Sequence, residues 1–235
     1  MFSTYLIYAW VVVVTAIFSV AVFLASLIDS KGVNPHKVAG IWARCILFGS
    51  RIKVRIRGLS NIESSQSYIF MLNHQSFYDI PVILGCLPVQ FRWLAKHELF
   101  KIPLFGIAMR RAGYISINRT DRRSAFQSLK IAALIIRSGV PVVIFPEGTR
   151  SPDGRILPFK KGGFVLAIQS QVPIVPVIIQ GTSAILTKKQ IKITPGEVSI
   201  QVCAPIPTTD YTTKTKEILM ERVKTVISEP FENLK

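Results

Sequence analysis

The sequence has 235 residues, of which 49% are hydrophobic, and its formal net charge is +16. This length suits one large domain, or one domain with a short appendage, and the apolar fraction allows a sizeable core. No low-complexity tract or internal repeat is present. The three cysteines (Cys45, Cys86 and Cys203) lack close-pair spacing, which argues against a disulfide framework or a zinc site. A reducing, cytoplasmic setting fits them best.

The chain begins with an apolar segment, since the 24 positions from Tyr5 to Ile28 hold no charged residue. As a helix this segment would be roughly 36 Å long, against about 30 Å for the hydrocarbon core of a bilayer. A cleaved signal peptide is the alternative, but no Lys or Arg precedes the run and no small-x-small site follows it. A second apolar stretch, Val38 to Phe48, leaves two topologies open. The chain either crosses the membrane or dips in and returns.

Positive charge is concentrated beside the apolar segment and in the middle of the chain. Lys31 to Arg57 contains seven basic residues and no acidic one, and Arg92 to Lys161 contains fourteen basic and four acidic residues. A basic surface attracts nucleic acid, anionic lipid or acidic protein alike. The neighbouring apolar segment favours an anionic membrane surface over nucleic acid. If that segment crosses the bilayer, the positive-inside rule leaves the rest of the chain in the cytoplasm.

After this segment, strands and helices alternate, which predicts an α/β domain. The predicted strands are Arg51 to Arg57, Tyr68 to Leu72, Phe91 to Ala95, Gly113 to Ile117, Val140 to Phe145, Pro173 to Ile179 and Val198 to Cys203. The predicted helices are one that begins at Pro81, one from Asp121 to Gly139, one over Phe164 to Ile168 and one near Thr213 to Ile227. Pro176 marks an edge strand or a bulge. We therefore expect a layered mixed sheet flanked by helices (residues 51–235) after a membrane-embedded helix or helix pair (residues 1–50).

Asn73, His74 and Asp79 directly follow the strand that ends at Leu72. A histidine can take a proton near neutral pH, and a carboxylate on its second nitrogen fixes the tautomer. On a continuous helix a spacing of five places two side chains about 140° apart, so this pair meets only if the chain turns between them. From this motif alone the simpler interpretation is preferred, in which Asp79 caps a helix and His74 is a surface residue. A serine nucleophile at Ser76 is disfavoured because no Gly-x-Ser-x-Gly pattern surrounds it.

A second polar turn, Pro146 to Arg150, follows the strand that ends at Phe145. It offers the Glu147 carboxylate, backbone donors around Gly148 and the Arg150 guanidinium, and arginine binds phosphate through two parallel hydrogen bonds. A tight turn held by a Glu147–Arg150 ion pair is an equally good interpretation of these residues alone. Arg119, after another strand, is a second possible phosphate contact or simply a surface arginine.

Together these stretches resemble one family, the membrane-bound glycerolipid acyltransferases, and within it the 1-acylglycerol-3-phosphate acyltransferases. The motif matches, in chain order, are Asn73, His74 and Asp79; Gly113, Ile117 and Arg119; Phe145 to Arg150; and the apolar stretch Val172 to Val177. The spacing of Lys96, Glu98, Pro103 and Gly106 also agrees, and the resemblance covers Arg51 to Pro205. One departure is Ser116, where the family often carries a bulky residue, so the shape of the second motif's pocket stays open.

The resemblance implies an O-acyltransferase of phospholipid biosynthesis. His74 would be the general base for an acceptor hydroxyl, Asp79 would orient it, and the hydroxyl would attack a thioester directly, without an acyl-enzyme. Arg119 and Arg150 would hold the acceptor phosphate. The substrate-binding residues implied are Arg119, Glu147, Gly148, Thr149 and Arg150. No metal or tightly held cofactor is implied, and acyl-CoA or acyl carrier protein would be the co-substrate.

The implied acceptor is a lysophospholipid, the free sn-2 hydroxyl of 1-acylglycerol-3-phosphate, and the product is phosphatidic acid. A relative acting on glycerol-3-phosphate, another lysophospholipid or a lyso-amino lipid is the alternative enzyme. A non-enzymatic basic module that binds membrane or nucleic acid is the alternative of another class, and the His–Asp pair argues against it. The resemblance also implies membrane localisation. With the distribution of basic residues, we expect the catalytic domain on the cytoplasmic side of a bacterial inner membrane.

Overall fold

The core of the protein is a seven-stranded mixed β-sheet with helices on both faces. We analysed a computed structural model that describes residues 2–63, 65–118, 120–187 and 189–232, without the side chains of residues 2, 3, 122 and 232. The strands are β1 (Ile52–Arg57), β2 (Ile69–Leu72), β3 (Arg92–Lys96), β4 (Ile115–Ile117), β5 (Val142–Ile144), β6 (Ile174–Gln180) and β7 (Gly196–Val202). The helices are α1 (Phe2–Ile28), α2 (Val33–Gly49), α3 (Asp79–Cys86), α4 (Phe105–Arg111), α5 (Arg122–Arg137), α6 (Gly162–Ser170), α7 (Thr182–Ile185) and α8 (Lys216–Glu232). The predicted α/β fold is confirmed.

The sheet has the order β1-β7-β6-β2-β5-β3-β4. The five strands from β6 to β4 all run parallel. β7 is antiparallel to β6, and β1 runs parallel to β7. Because the five parallel strands end at the same edge of the sheet, the loops that follow them lie side by side. Two of these loops are the polar turns at His74 and at Glu147.

The alternation of side chains along β2 divides the core into two layers. Phe70 and Leu72 belong to one apolar cluster, which also contains residues of α1, α2 and α3. Ile69 and Met71 belong to the other cluster, which contains residues of α5, α6 and α8. The helices α1 and α5 therefore lie on opposite faces of the sheet.

The N-terminal residues form an antiparallel helix pair, α1 and α2. The Trp10 Nε1–H donates to the Cys45 carbonyl, and the Trp42 Nε1–H donates to Thr15 Oγ1, both at 3.0 Å. The paired helix α2 also packs against α3. Among the described helices, α1 is the one with the length and apolarity to cross a membrane, features that core helices and signal sequences share.

Three local predictions differ from the structure. The third helix begins at Asp79, two residues before Pro81. The sequence prediction omits the short helices α4 and α7, whose seven and four residues are too few to show a helical period. Pro176 lies in the interior strand β6, so the edge interpretation is wrong, whereas a bulge does lie beside it. Ile174 pairs with Ile206, and Val177 pairs with Val202. Two residues of β6 between these pairs therefore lie opposite three residues of the segment that follows β7, which is the pattern of a bulge.

The packing of Phe164 allows a test of the fold. This side chain is fully buried and stacks on Phe159, with ring centroids 6.2 Å apart. We expect Phe164→Ala to lower the free energy of unfolding by about 3–5 kcal/mol, because the lost contacts leave a cavity. Phe126→Ala is the matched control, since Phe126 on α5 is 53% exposed, and it should cost under about 1 kcal/mol. Denaturant unfolding in mild detergent measures both, and equal losses would contradict the assignment of Phe164 to the core.

Candidate active site

The parallel pairing of β2 with β5 brings the two polar turns together. Met71 faces Ile144 in this pairing, so the chain leaves both strands at neighbouring positions. His74 follows β2, and Glu147 follows β5. The chain segments are tied further by a 2.8 Å hydrogen bond from the Ser151 N–H to the His74 carbonyl. The site is therefore assembled from segments that are far apart in sequence, since His74 and Glu147 are separated by 73 positions.

His74 and Asp79 lie in hydrogen-bonding contact, with 2.8 Å between His74 Nδ1 and Asp79 Oδ2. Residues 75–78 form the turn between β2 and α3 that this contact requires. The same Oδ2 accepts the backbone N–H groups of Gln75 at 2.7 Å and Ser76 at 2.8 Å. These donors precede the helix, so the interpretation of Asp79 as a simple helix cap is wrong. The carboxylate instead holds the turn that carries His74.

The hydrogen bonds to Asp79 also determine the tautomer of His74. An oxygen that already accepts two N–H groups acts as an acceptor for the ring as well, so Nδ1 carries the hydrogen. Nε2 then has a free lone pair and can accept a proton. The His74 side chain is 16% exposed while the Asp79 side chain is fully buried. The pair therefore has a sheltered carboxylate and an imidazole that reaches the surface.

Glu147 holds the backbone on both sides of this pair. Its Oε1 accepts the His74 N–H at 2.6 Å, and its Oε2 accepts the Leu157 N–H at 2.9 Å. Burial raises the pKa of Glu147 to about 7, the two backbone donors lower it, and the nearby Asp79 carboxylate raises it. Each oxygen accepts a backbone N–H, and Glu147 forms no ion pair with Arg150, so the alternative interpretation of a turn held by that pair is wrong. Glu147 thus supports the backbone of His74, and its predicted role in substrate binding stays a prediction.

The ring of His74 is covered by aromatic side chains, a contact that the sequence analysis does not predict. Phe145 stacks on the imidazole, with centroids 3.9 Å apart and an interplanar angle of 16°. Trp93 stacks on the other side of Phe145 at 5.5 Å. The sequence predicts the apolar strand that ends at Phe145, but it does not predict which side chain the Phe145 ring contacts. The stack restricts rotation of the imidazole and keeps Nε2 directed to one side.

Two polar residues of the first motif are buried for structural reasons. The Asn73 side chain donates to the Ile179 carbonyl and accepts the Ile179 N–H, each at 2.8 Å. It thus continues the pairing of β2 with β6 beyond the end of β2. The Ser76 hydroxyl is fully buried and donates to the Leu186 carbonyl at 2.7 Å. A hydroxyl engaged in this way is poorly placed to act as a nucleophile, in agreement with the sequence interpretation.

Three of the remaining predicted site residues, Gly148, Thr149 and Arg150, lie in the turn after β5. Arg150 is half-buried, and its guanidinium carbon lies 3.3 Å from the ring centroid of Phe77. Gly148 has φ of +76°, a conformation that glycine adopts without strain. Thr149 is exposed. Arg119 lies outside the described residues. Among the residues that are described, no group of three His, Cys, Asp or Glu side chains could hold a metal ion.

Comparison with known proteins agrees with this geometry. Residues 53–180 match the family described as Acyltransferase. A chloroplastic 1-acyl-sn-glycerol-3-phosphate acyltransferase of Brassica napus is 38% identical over 73% of this chain, and the match spans half of that relative's length. The human 1-acyl-sn-glycerol-3-phosphate acyltransferase alpha is 33% identical over 84% of this chain and 70% of its own length.

A solved structure extends the similarity to almost the whole chain. The crystal structure of the 1-acyl-sn-glycerophosphate acyltransferase PlsC of Thermotoga maritima superposes with a TM-score of 0.85 at 29% identity. The superposition covers 99% of this chain and 95% of that chain. The family match, the relatives and the shared architecture agree with one another, and the chain belongs to the acyltransferase family that includes the 1-acyl-sn-glycerol-3-phosphate acyltransferases.

Proposed function

We propose that the protein transfers a fatty acyl group from a thioester to the free sn-2 hydroxyl of 1-acylglycerol-3-phosphate, giving phosphatidic acid. The observation that carries this proposal is the 2.8 Å contact between His74 and the buried Asp79 at the carboxyl end of β2, in a chain of this family. The acceptor is taken from the relatives, which bear the name 1-acyl-sn-glycerol-3-phosphate acyltransferase. No cofactor takes part, and the donor is acyl-CoA or an acylated carrier protein.

In the proposed reaction His74 acts as the general base. Its Nε2 takes the proton of the acceptor hydroxyl as the oxygen attacks the thioester carbonyl carbon. The tetrahedral intermediate collapses, the C–S bond breaks, and the proton passes from His74 to the departing thiolate. Asp79 stabilises the imidazolium that forms between these steps. The new ester bond replaces the thioester bond, and no covalent enzyme intermediate forms.

Glu147 is a positioning residue in this mechanism. Its two hydrogen bonds connect the backbone of His74 to that of Leu157, so the loop after β5 and the base move as one unit. A displacement of the base by about 1 Å can cost roughly a hundredfold in rate. Burial of a charged carboxylate is unfavourable. We infer that Glu147 is present nevertheless because its two hydrogen bonds to backbone keep the base in position.

Arg150 and Arg119 are proposed to bind the acceptor phosphate, with Gly148 and Thr149 beside them. A guanidinium can bind phosphate through two parallel hydrogen bonds. Arg150 is supported by its position in the turn that adjoins His74. The proposal for Arg119 rests on its place in the second motif alone.

We propose that residues 1–50 place the catalytic domain, residues 51–235, on an anionic membrane surface, on the cytoplasmic side of a bacterial inner membrane. The helix α1 is held to the rest of the chain near both ends. The Tyr8 hydroxyl donates to the Ile191 carbonyl at 3.0 Å, and the Arg111 guanidinium lies over Phe23. A helix attached in this way cannot cross the bilayer without drawing charged surface into it. These contacts support our proposal that the helix pair enters one leaflet and returns.

The first test concerns the catalytic pair. We expect His74→Ala to remove nearly all acyl transfer to 1-acylglycerol-3-phosphate, and Asp79→Asn to reduce it heavily, because the imidazolium loses its support. The measurement is product formation by purified protein in detergent, with both thioester donors and a panel of acceptors. Mass spectrometry with donor alone should show no acyl adduct. Wild-type turnover by His74→Ala would refute the role of the base, and preference for another acceptor would refute the substrate.

A second test uses the raised pKa of Glu147. The folded-state pKa is about 7 and the ordinary value is 4.5, so between these pH values the folded protein binds more protons than the unfolded chain. The free energy of unfolding should therefore fall as pH rises through this window, by up to about 1.4 kcal/mol per pH unit from this group. Glu147→Gln should lack this component. Denaturant unfolding from about pH 5 to pH 8 compares the two slopes, and identical slopes would contradict the assignment.

The third test concerns membrane binding. Ile17 and Leu24 on α1 are 59% and 55% exposed, and Ile131 and Leu134 on α5 are 51% and 65% exposed. We expect the wild type to stay with membranes through a high-salt wash, because apolar burial is not screened by ions. Ile17→Lys with Leu24→Lys should release much of the protein. Ile131→Lys with Leu134→Lys, on the opposite face of the sheet, should not. Equal release by both double variants would contradict the proposed orientation.

A further inference from the structure

Phe77 is a large apolar side chain that the proposed mechanism does not use. It lies in the turn between His74 and Asp79, and 59% of it is exposed. The guanidinium carbon of Arg150 lies 3.3 Å from the centroid of its ring. This distance means that the planar guanidinium rests directly on the face of the ring. The turn that holds the base therefore also carries the support for the arginine.

Stacking of this kind leaves the hydrogen-bonding groups of arginine available. The attraction between a cation and an aromatic ring acts through the face of the guanidinium, whereas its five N–H donors point outward in the plane. An ion pair with a carboxylate would have occupied two of those donors. No carboxylate among the described residues forms an ion pair with Arg150.

One donor of Arg150 is buried without a partner. Nη1 is inaccessible to solvent and makes no hydrogen bond within the described part of the chain. A buried, unpaired N–H of a charged group is unfavourable and is rarely retained without a role. The Asp79 carboxylate is close enough to favour the charged form of Arg150, since it raises the pKa that burial lowers. The cation is thus held next to the catalytic pair, half-buried and without an ion pair to a described carboxylate.

We propose that Phe77 is a positioning residue that holds the Arg150 guanidinium flat, with its N–H edge directed at the acceptor phosphate. This inference rests on the proposed function, because it assumes a phosphorylated acceptor. A free arginine side chain samples many rotamers, and fixing it on binding costs entropy. A ring beneath it fixes the plane in advance, so two parallel hydrogen bonds to phosphate form with less loss. The expected signature is a change in acceptor affinity rather than in the chemical step.

The other role open to an exposed phenylalanine beside a lipid-binding site is contact with an acyl chain. The two roles respond differently to substitution. Leucine keeps an apolar surface but has no aromatic face, so it preserves acyl contact and abolishes stacking. Tyrosine keeps the face and adds a hydroxyl. Phe77→Leu and Phe77→Tyr therefore separate the two possibilities, and neither change creates a cavity, because the side chain is mostly exposed.

The experiment measures the kinetics of these variants with 1-acylglycerol-3-phosphate. Phe77→Leu should raise KM for this acceptor by about three- to tenfold, with kcat within about twofold of the wild type. Phe77→Tyr should restore KM to within about twofold. In an Arg150→Ala background, Phe77→Leu should have no further effect, because its partner is already absent. Unchanged KM in Phe77→Leu, or the same rise in both backgrounds, would overturn the proposal.

Phe126 provides a matched control. Phe126 is also exposed, at 53%, and a cation lies over its ring, since Lys130 Nζ is 4.8 Å from the ring centroid. It lies on α5, away from the candidate site. Phe126→Leu should leave KM and kcat unchanged, and an equal rise in KM would show a general effect of removing surface aromatics. Absence of acyl transfer by the wild type would refute the proposed function itself. Wild-type transfer with normal Phe77→Leu kinetics would refute the role of Phe77 alone.

Discussion

The parallel pairing of β2 with β5 is the constraint on which the candidate site depends. It places the ends of two short apolar strands next to each other, so that the turn with His74 and the turn with Glu147 share one edge of the sheet. Phe145, the residue after β5, then covers the imidazole, and Glu147 reaches the backbone of His74. Neither contact would exist with another strand order. Asn73 gives the opposite side of β2 a similar fixed position through its hydrogen bonds to Ile179.

The electrostatics of the site combine two buried carboxylates with one stacked cation. Asp79 and Glu147 both satisfy backbone N–H groups, which offsets part of the cost of burying their charge. Each carboxylate therefore fixes a piece of chain around His74 instead of facing solvent. Arg150 is arranged differently, since Phe77 supports its face and no described carboxylate engages it. This difference separates the two carboxylates, which hold backbone, from Arg150, for which we propose contact with the acceptor phosphate.

The two faces of the sheet are covered by different sets of helices. On one face α1 and α2 form the apolar helix pair, and Arg92 connects their turn to β3 through a 2.8 Å hydrogen bond to the Lys31 carbonyl. The next residue, Trp93, stacks on Phe145, so continuous packing joins the helix pair to the ring of His74. The other face, with α5, α6 and α8, has its own core. In the proposed membrane arrangement, the face with the helix pair would rest on lipid, while the packing around His74 holds its ring in place.

Local features of the sequence determine several properties of this protein. The sequence predicts the apolarity of α1, the succession of strands and helices along the chain, and the pairing of His74 with Asp79 five positions later. Each of these features depends on residues that are close in sequence. The sequence does not predict three other features. These are the hydrogen-bond partners of Glu147, the contact of Phe77 with Arg150, and the location of Pro176 in an interior strand. They depend on which strands lie side by side, and the pattern of a short apolar strand is the same at an edge and at the centre. The tertiary structure alone decided these contacts, because strand order is set by the packing of the whole core.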